Sequence, residues 1–349
     1  MIRDIRIESL KSIHRLEMEC GKLNLLAGTN SSGKSTTLQG LLLIAQNLEE
    51  NYGLNGPLVS IGNYREARNY NISSDKIGII VKDDAGESLE LVFCEEGAVI
   101  LNGNLDGALA EIFNFRKGCF HYLSCNRIGS QDIYQRNLTL YEDIGINGEY
   151  AVEYLCRHRD NPLEEEAVYY KENYTLSAQV NYWLKYIVGA TIKTEEITGT
   201  DVVKASYGVV DGIYSRSKNV GSGISYLVSI LIVCLGSRRG DIILIENPEI
   251  HLHPLSQSRV CEFLYFISEA GRQIFIETHS DHIFNAARAG IATGKMVKEN
   301  ISIHFFKLGS DNCTRNYAIE IGEFGKIENP VPGLFDQFQQ DYDKMLGLC

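Results

Sequence analysis

The chain has 349 residues, enough for one large domain or two smaller ones, and its 44% hydrophobic content is ordinary for a soluble globular protein. Its 33 basic and 45 acidic residues leave a net charge of −12, which excludes a surface coated in positive charge for nucleic acid. Nine cysteines, an odd number, stand singly at 20, 94, 119, 125, 156, 234, 261, 313 and 349 with no Cys-x-x-Cys pair, which argues against a zinc or disulfide framework and suits a reducing cytosol.

In chain order, the first third alternates as strands do. The opening, MIRDIRIESLKSI, carries charges where a signal peptide needs an apolar core. Ile5 and Ile7, then Leu16 and Met18, then Leu23, Leu25 and Leu26 mark three short strands, the last ending at Gly28. A helix follows from Lys34 to Asn47, with the apolar run LLLIA on its inner face. The Asn-, Tyr- and Gly-rich stretch 51–75 reads as a loop, and 76–82, 87–93 and 119–123 as further strands. Residues 125–190 turn charged and Tyr-rich, with helix-like segments at 149–157 and 175–188, and read as an inserted helical lobe. Strand patterns return at 190–197 and 201–207. From 223 come an apolar helix, the strand DIILIE, a helix at 254–269, the strand RQIFIE, a helix at 280–290 and the strand ISIHFFKL. Such alternation indicates an α/β fold with parallel strands. The longest apolar stretch, YLVSILIVCLG at 226–236, is too short to span a bilayer and is followed by Arg238 and Arg239. The expected division is an N-terminal lobe 1–124, the helical lobe 125–190 and a C-terminal lobe 191–349, in a cytoplasmic protein with no membrane partner.

GTNSSGKST at 28–36 fits the phosphate-loop pattern G-x-x-x-x-G-K-[ST], between the apolar strand LNLLAG and an apolar helix. Its glycines let the backbone turn tightly, so that N–H groups point inward at phosphate oxygens. The helix starting near Lys34 directs its positive dipole end at the same anion. Asn30, Ser31, Ser32, Gly33, Lys34, Ser35 and Thr36 are therefore the candidate ATP ligands, with Lys34 reaching the β- and γ-phosphates and Ser35 ligating Mg²⁺.

DIILIENPEIHLHP places Glu246 and Glu249 at the C-terminal end of an apolar strand, the edge of an open α/β sheet where ligands bind. There a carboxylate can hold Mg²⁺, through water or Ser35, and a second can orient the attacking water; Glu246 is the metal candidate, and both Glu246 and Glu249 are catalytic candidates. His251 and His253 alternate as metal ligands do, yet they are assigned to the turn and a subunit contact. His279, just past the strand RQIFIE, can donate a hydrogen bond to the γ-phosphate.

Together these segments resemble the ABC-type ATPase superfamily, in the branch holding RecF, SMC heads and OLD-like (overcoming lysogenization defect) ATPases. IRIESLKSIHRLEMECGKLNLLAGTNSSGKST resembles the N-terminal strands and phosphate loop of that branch. NVGSGIS at 219–225 resembles its signature loop, which puts Ser222 and Gly223 in the γ-phosphate-sensing places. ENPEIHLHP resembles the acidic strand and D-loop, ETHS the switch-histidine segment, and VPGLFDQFQQD the C-terminal segment of small prokaryotic predicted ATPases of this branch. The fold implied is an ABC-type ATPase head, a mixed sheet with a parallel core around the phosphate loop, plus the inserted helical lobe. Two departures stand out. The family places Asp then Glu at the strand end, whereas here Glu246 is followed by Asn247, which cannot take a proton. Either Glu249 substitutes as base, or hydrolysis is slow and the protein acts as an ATP-gated clamp. The long coiled coil of SMC-type members is also absent, and Gln131 is the candidate for the family's Q-loop.

The resemblance implies a homodimer or higher oligomer, head to tail around two ATP molecules, with each signature loop closing over the other subunit's phosphate loop. It further implies a prokaryotic role in anti-phage defence or DNA repair, exerted on a separate effector such as a nuclease, since no nuclease motif is present. Nucleic acid stays open as a partner, although the pairs Arg65 and Arg68, Arg157 and Arg159, and Arg238 and Arg239 read as solvated faces. Two rival readings are a hydrolysis-poor ATP sensor or scaffold, favoured by Asn247, and a transporter ATPase subunit, disfavoured by the missing LSGGQ signature.

Overall fold

The computed structural model describes residues 1–348 except 73, 140, 142 and 211, so Cys349 lies outside the described residues. The other eight cysteines are free thiols. In chain order the elements are β1 (Ile2–Leu10), β2 (Ile13–Glu19), β3 (Leu23–Gly28), α1 (Lys34–Asn47), α2 (Tyr64–Ala67), β4 (Lys76–Asp83), β5 (Ser88–Cys94), β6 (Val99–Gly103), α3 (Ala108–Ile112), β7 (Phe120–Leu123) and β8 (Ile133–Gln135). There follow α4 (Ala151–His158), α5 (Leu176–Val188), β9 (Thr191–Glu196), β10 (Val202–Val210), β11 (Ile213–Arg216), α6 (Ser222–Gly236), β12 (Ile242–Glu246) and α7 (Pro254–Glu269). The last are β13 (Gln273–Thr278), α8 (Asp281–Ala292), β14 (Ile301–Leu308), β15 (Thr314–Ala318) and α9 (Gln337–Met345).

The central sheet has six strands in the order β15-β14-β3-β13-β12-β7. All its pairs are parallel except β14 with β15. Side chains alternate between its faces, and both faces are covered, which is why its strands read as unbroken apolar runs. Leu25, Ile243, Ile245, Ile274 and Ile276 enter one core with the helices α5 to α8. Leu26, Ile242, Leu244, Phe275 and Phe306 enter a second core, shared with the antiparallel sheet β2-β1-β4-β5-β6. Helix α1 lies between the two sheets, touching β1 on one side and β3 and β13 on the other, so nearly all of it is buried. Because β13 separates β3 from β12, Glu277 on β13 pairs in register with Glu246 on β12 and with Leu26 on β3.

The segments expected to be helical at 149–157 and 175–188 are α4 and α5, and the strands expected at 190–197 and 201–207 are β9 and β10. These form one lobe, in which an antiparallel sheet of β8, β9, β10 and β11 packs against α4 and α5. The pairing of β8 with β10 crosses the division expected at residue 190, and the lobe is mixed rather than helical. Three residues are too few for β8 to show a strand period. The stretch 51–75 holds one helical turn, α2, started by a reciprocal cap between Asn63 and Glu66. Among the described residues no helix is long and apolar enough to cross a membrane.

Candidate functional site

The phosphate loop leaves β3 and enters α1 through Gly33, whose φ of 106° favours glycine. A Cβ at Gly33 would also lie 2.5 Å from Thr314 Oγ1. Thr314 Oγ1 donates to the Ser32 carbonyl at 2.9 Å and meets Ser12 Oγ at 2.9 Å, so the loop leans on β15 and on the β1–β2 turn. Ser32 Oγ donates to the Thr29 carbonyl at 2.7 Å. No side chain caps α1 at Gly33, which leaves its first N–H groups for an anion. Lys34 Nζ folds back over the loop, donating to the carbonyls of Gly28 at 3.1 Å and Thr29 at 2.8 Å. Burial lowers the Lys34 ammonium, while Glu277 and Glu249 oppose that effect. The loop from Asn30 to Thr36 faces a cleft of about 420 Å³ whose other walls are Lys11, Ser12, Glu277 and His279.

The carboxylate beside Ser35 is not the expected one. Ser35 Oγ donates to Glu277 Oε1 at 2.8 Å. Glu246 lies one strand farther out, its Oε1 accepting from the Tyr122 hydroxyl at 2.9 Å and its Oε2 from the Cys125 amide at 3.0 Å. Glu249 Oε1 accepts from the His279 amide at 2.7 Å and from Asn247 Nδ2 at 3.5 Å, so the loop after β12 is tied to the end of β13. Asn247 itself has a φ of 44°, a region that Asn tolerates better than most residues. Burial pushes the Glu277 carboxyl up to about 7, helped by Glu246 and Glu249 and opposed by Ser35 and Lys34. Burial, then the nearby Lys34 ammonium, holds the His279 imidazole below its ordinary value, so at neutral pH it is uncharged and keeps one N–H to donate.

Oε2 of Glu277 and Oε2 of Glu249 are buried without a hydrogen-bond partner among the described residues. Orphaned acceptors of this kind fit a cation. Among the described residues no group of three or more His, Cys, Asp or Glu could hold a metal alone. Mg²⁺ makes no such demand, since it takes one or two carboxylates and completes its shell with water and substrate phosphates. Ser35 and Glu277 fit that pattern.

Ser222 is the exposed first residue of α6, and Gly223 follows it. A Cβ at Gly223 would lie 2.4 Å from the His251 carbonyl, so only glycine fits under that turn. Neither residue lines the cleft of its own chain. The His251 ring packs on Tyr226 of α6 with centroids 5.0 Å apart, and His253 Nδ1 accepts from the Leu255 amide to cap α7. Both histidines thus serve the turn. Gln131 does not line the cleft, and its backbone N–H donates to the Tyr134 hydroxyl. The chain after β7 instead supplies Arg127, which donates to the carbonyls of Ser124 at 2.9 Å, Glu246 at 2.5 Å and Asn247 at 2.6 Å. Burial lowers its guanidinium to about 10. Sequence reasoning missed Glu277, Lys11 and Ser12 in the cleft wall, and Arg127 behind it.

The family model for the AAA ATPase domain matches residues 160–284. That segment contains Ser222, Glu246, Glu249 and His279 but not the phosphate loop. No protein of curated function matches the sequence. In three dimensions the chain is similar to an SMC head bound to the C-winged helix domain of ScpA, at 12% identity and a TM-score of 0.58, over 92% of this chain and 98% of that one. It is also similar to an SMC head domain with an extended coiled coil, bound to the C-terminal domain of ScpA and derived from Pyrococcus furiosus. That match has 12% identity and a TM-score of 0.56 over 99% of each chain.

Proposed function

We propose that this chain, an ABC-type, SMC-head-like P-loop ATPase by its fold, binds ATP with Mg²⁺, hydrolyses it, and uses it to join two copies of itself. The observation that carries the reading is the single cleft where Lys34, Ser35, Glu277 and His279 face one another. The loop amides and the α1 N-terminus receive the phosphates, and Lys34 leaves the Gly28 and Thr29 carbonyls for the β- and γ-phosphate oxygens. Bound Mg²⁺ neutralises charge on those phosphates. Glu249, with one oxygen unpartnered, accepts the proton of the water that attacks the γ-phosphorus, and ADP leaves. The neutral imidazole of His279 donates to the γ-phosphate. Exposure of Ser222 outside its own cleft supports a role for it in the cleft of a second copy.

The SMC heads of similar fold are bound to domains of ScpA. A separate effector protein, such as a nuclease, is the counterpart we propose here, with the ATPase governing it in anti-phage defence or DNA repair in the cytoplasm. Asn247 favours a second reading, in which turnover is very slow and the protein is an ATP sensor. Steady-state phosphate release with and without DNA, beside Lys34→Ala as blank, separates the two. Turnover that Lys34→Ala loses supports the ATPase. Tight ATP binding without turnover supports the sensor, and an absence of ATP binding overturns both.

A further inference from the structure

We infer that Glu277, on the strand between the phosphate-loop strand and the acidic strand, is the carboxylate that works with Ser35 at the metal side of this site, while Glu246 positions the loop after β7. This rests on the ATP-binding reading above and assigns a task within that site.

Strand order points to Glu277. Neighbouring strands lie roughly 4.8 Å apart, so a residue on β12 is about twice as far from β3 as one on β13. Ser35 stands in the first turn of the helix that follows β3, and β13 is the strand beside β3. Hydrogen bonding points the same way. A serine hydroxyl that turns its lone pairs to a cation must point its proton at an acceptor. Glu277 Oε1 already receives it at 2.8 Å. The carboxylates also differ in what each has left to offer. Glu277 lines the cleft, and its Oε2 is buried with no partner among the described residues. Glu246 does not line the cleft, and each of its oxygens already accepts a bond, from Tyr122 and from the Cys125 amide. Arg127 pins the carbonyls of Glu246 and Asn247 to the same loop, so Glu246 belongs to a bracket that joins β7 to β12.

The test is Mn²⁺ binding to the full chain with a non-hydrolysable ATP analogue, read by the electron paramagnetic resonance signal of free Mn²⁺. Glu277→Gln should weaken Mn²⁺ binding in the nucleotide complex about 10–100-fold, and Glu246→Gln by no more than about threefold. Calorimetric binding of the analogue in EDTA should stay near wild type in both variants. Ser35→Ala combined with Glu277→Gln should lose little more than either change alone, because the two groups act as one unit. If Glu277→Gln does not fold, Glu277→Asp takes its place with the same expectation, since it keeps the charge but shortens the reach to Ser35. Equal losses in the Glu277 and Glu246 variants, or the reverse order, overturn the assignment. A wild-type chain that binds no analogue either with Mn²⁺ or in EDTA fails at the earlier step, and there the ATPase reading itself falls.

Discussion

A carboxyl group taken out of water resists ionisation, and Glu277 has a consequence for stability that needs no ligand. Between the ordinary glutamate value of 4.5 and about 7, the folded chain keeps a proton that the unfolded chain has released. Stability therefore falls as pH rises through that window, and stays reduced above it. The shift corresponds to about 3 kcal/mol at pH 8. Without nucleotide or metal, Glu277→Gln should melt above wild type at pH 8, and the two should converge near pH 5 in scanning calorimetry. A gap that ignores pH would show that burial of this carboxyl is not its cause. Lys34 poses the opposite case, since its bonds to the Gly28 and Thr29 carbonyls are local and the partner proposed for it is the nucleotide phosphate. Lys34→Ala should keep the melting temperature within a few degrees while calorimetric ATP binding disappears. Unchanged affinity would remove the phosphate loop from the argument.

At the scale of elements, the sequence was legible where a local pattern carries the meaning. β3, the phosphate loop and α1 follow from an apolar run, a glycine-lysine motif and a second apolar run, and they stand where those signals place them. The strands β6 and β15 escaped because they are short edge strands with mostly exposed side chains, so no apolar period marks them. Glu277 escaped for another reason. Its letters were in plain view in ETHS, but its partner Ser35 is 242 residues away, and only the order β3-β13-β12 makes them neighbours. No periodicity in a single chain encodes strand order. The loop between β12 and α7 poses a question that geometry sharpens. It holds Asn247, which cannot take a proton, and Glu249, which is anchored to the His279 amide through one oxygen and unpartnered at the other. Glu249→Gln should slow ATP turnover about 10²–10⁴-fold while leaving the ATP dissociation constant within a few fold. A turnover number equal to wild type would move the base elsewhere.

For the whole molecule, the central sheet puts the phosphate loop and the exposed start of α6 in separate places, so one chain does not bring Ser222 to its own cleft. Two-fold symmetry would bring each Ser222 to the other's cleft. On the proposed dimer, a slowly hydrolysed ATP analogue should raise light scattering in wild type, and Ser222→Arg should abolish that rise while leaving ATP binding by the single chain nearly intact. If the variant still dimerises on nucleotide, the facing arrangement is wrong. The support under the phosphate loop has a different reach, one that runs along the chain. The motif is complete at residue 36, but Ser32 and Gly33 rest on Thr314, 282 residues after Ser32. A chain without β15 thus carries the motif but not the contact that holds the Ser32 carbonyl in place.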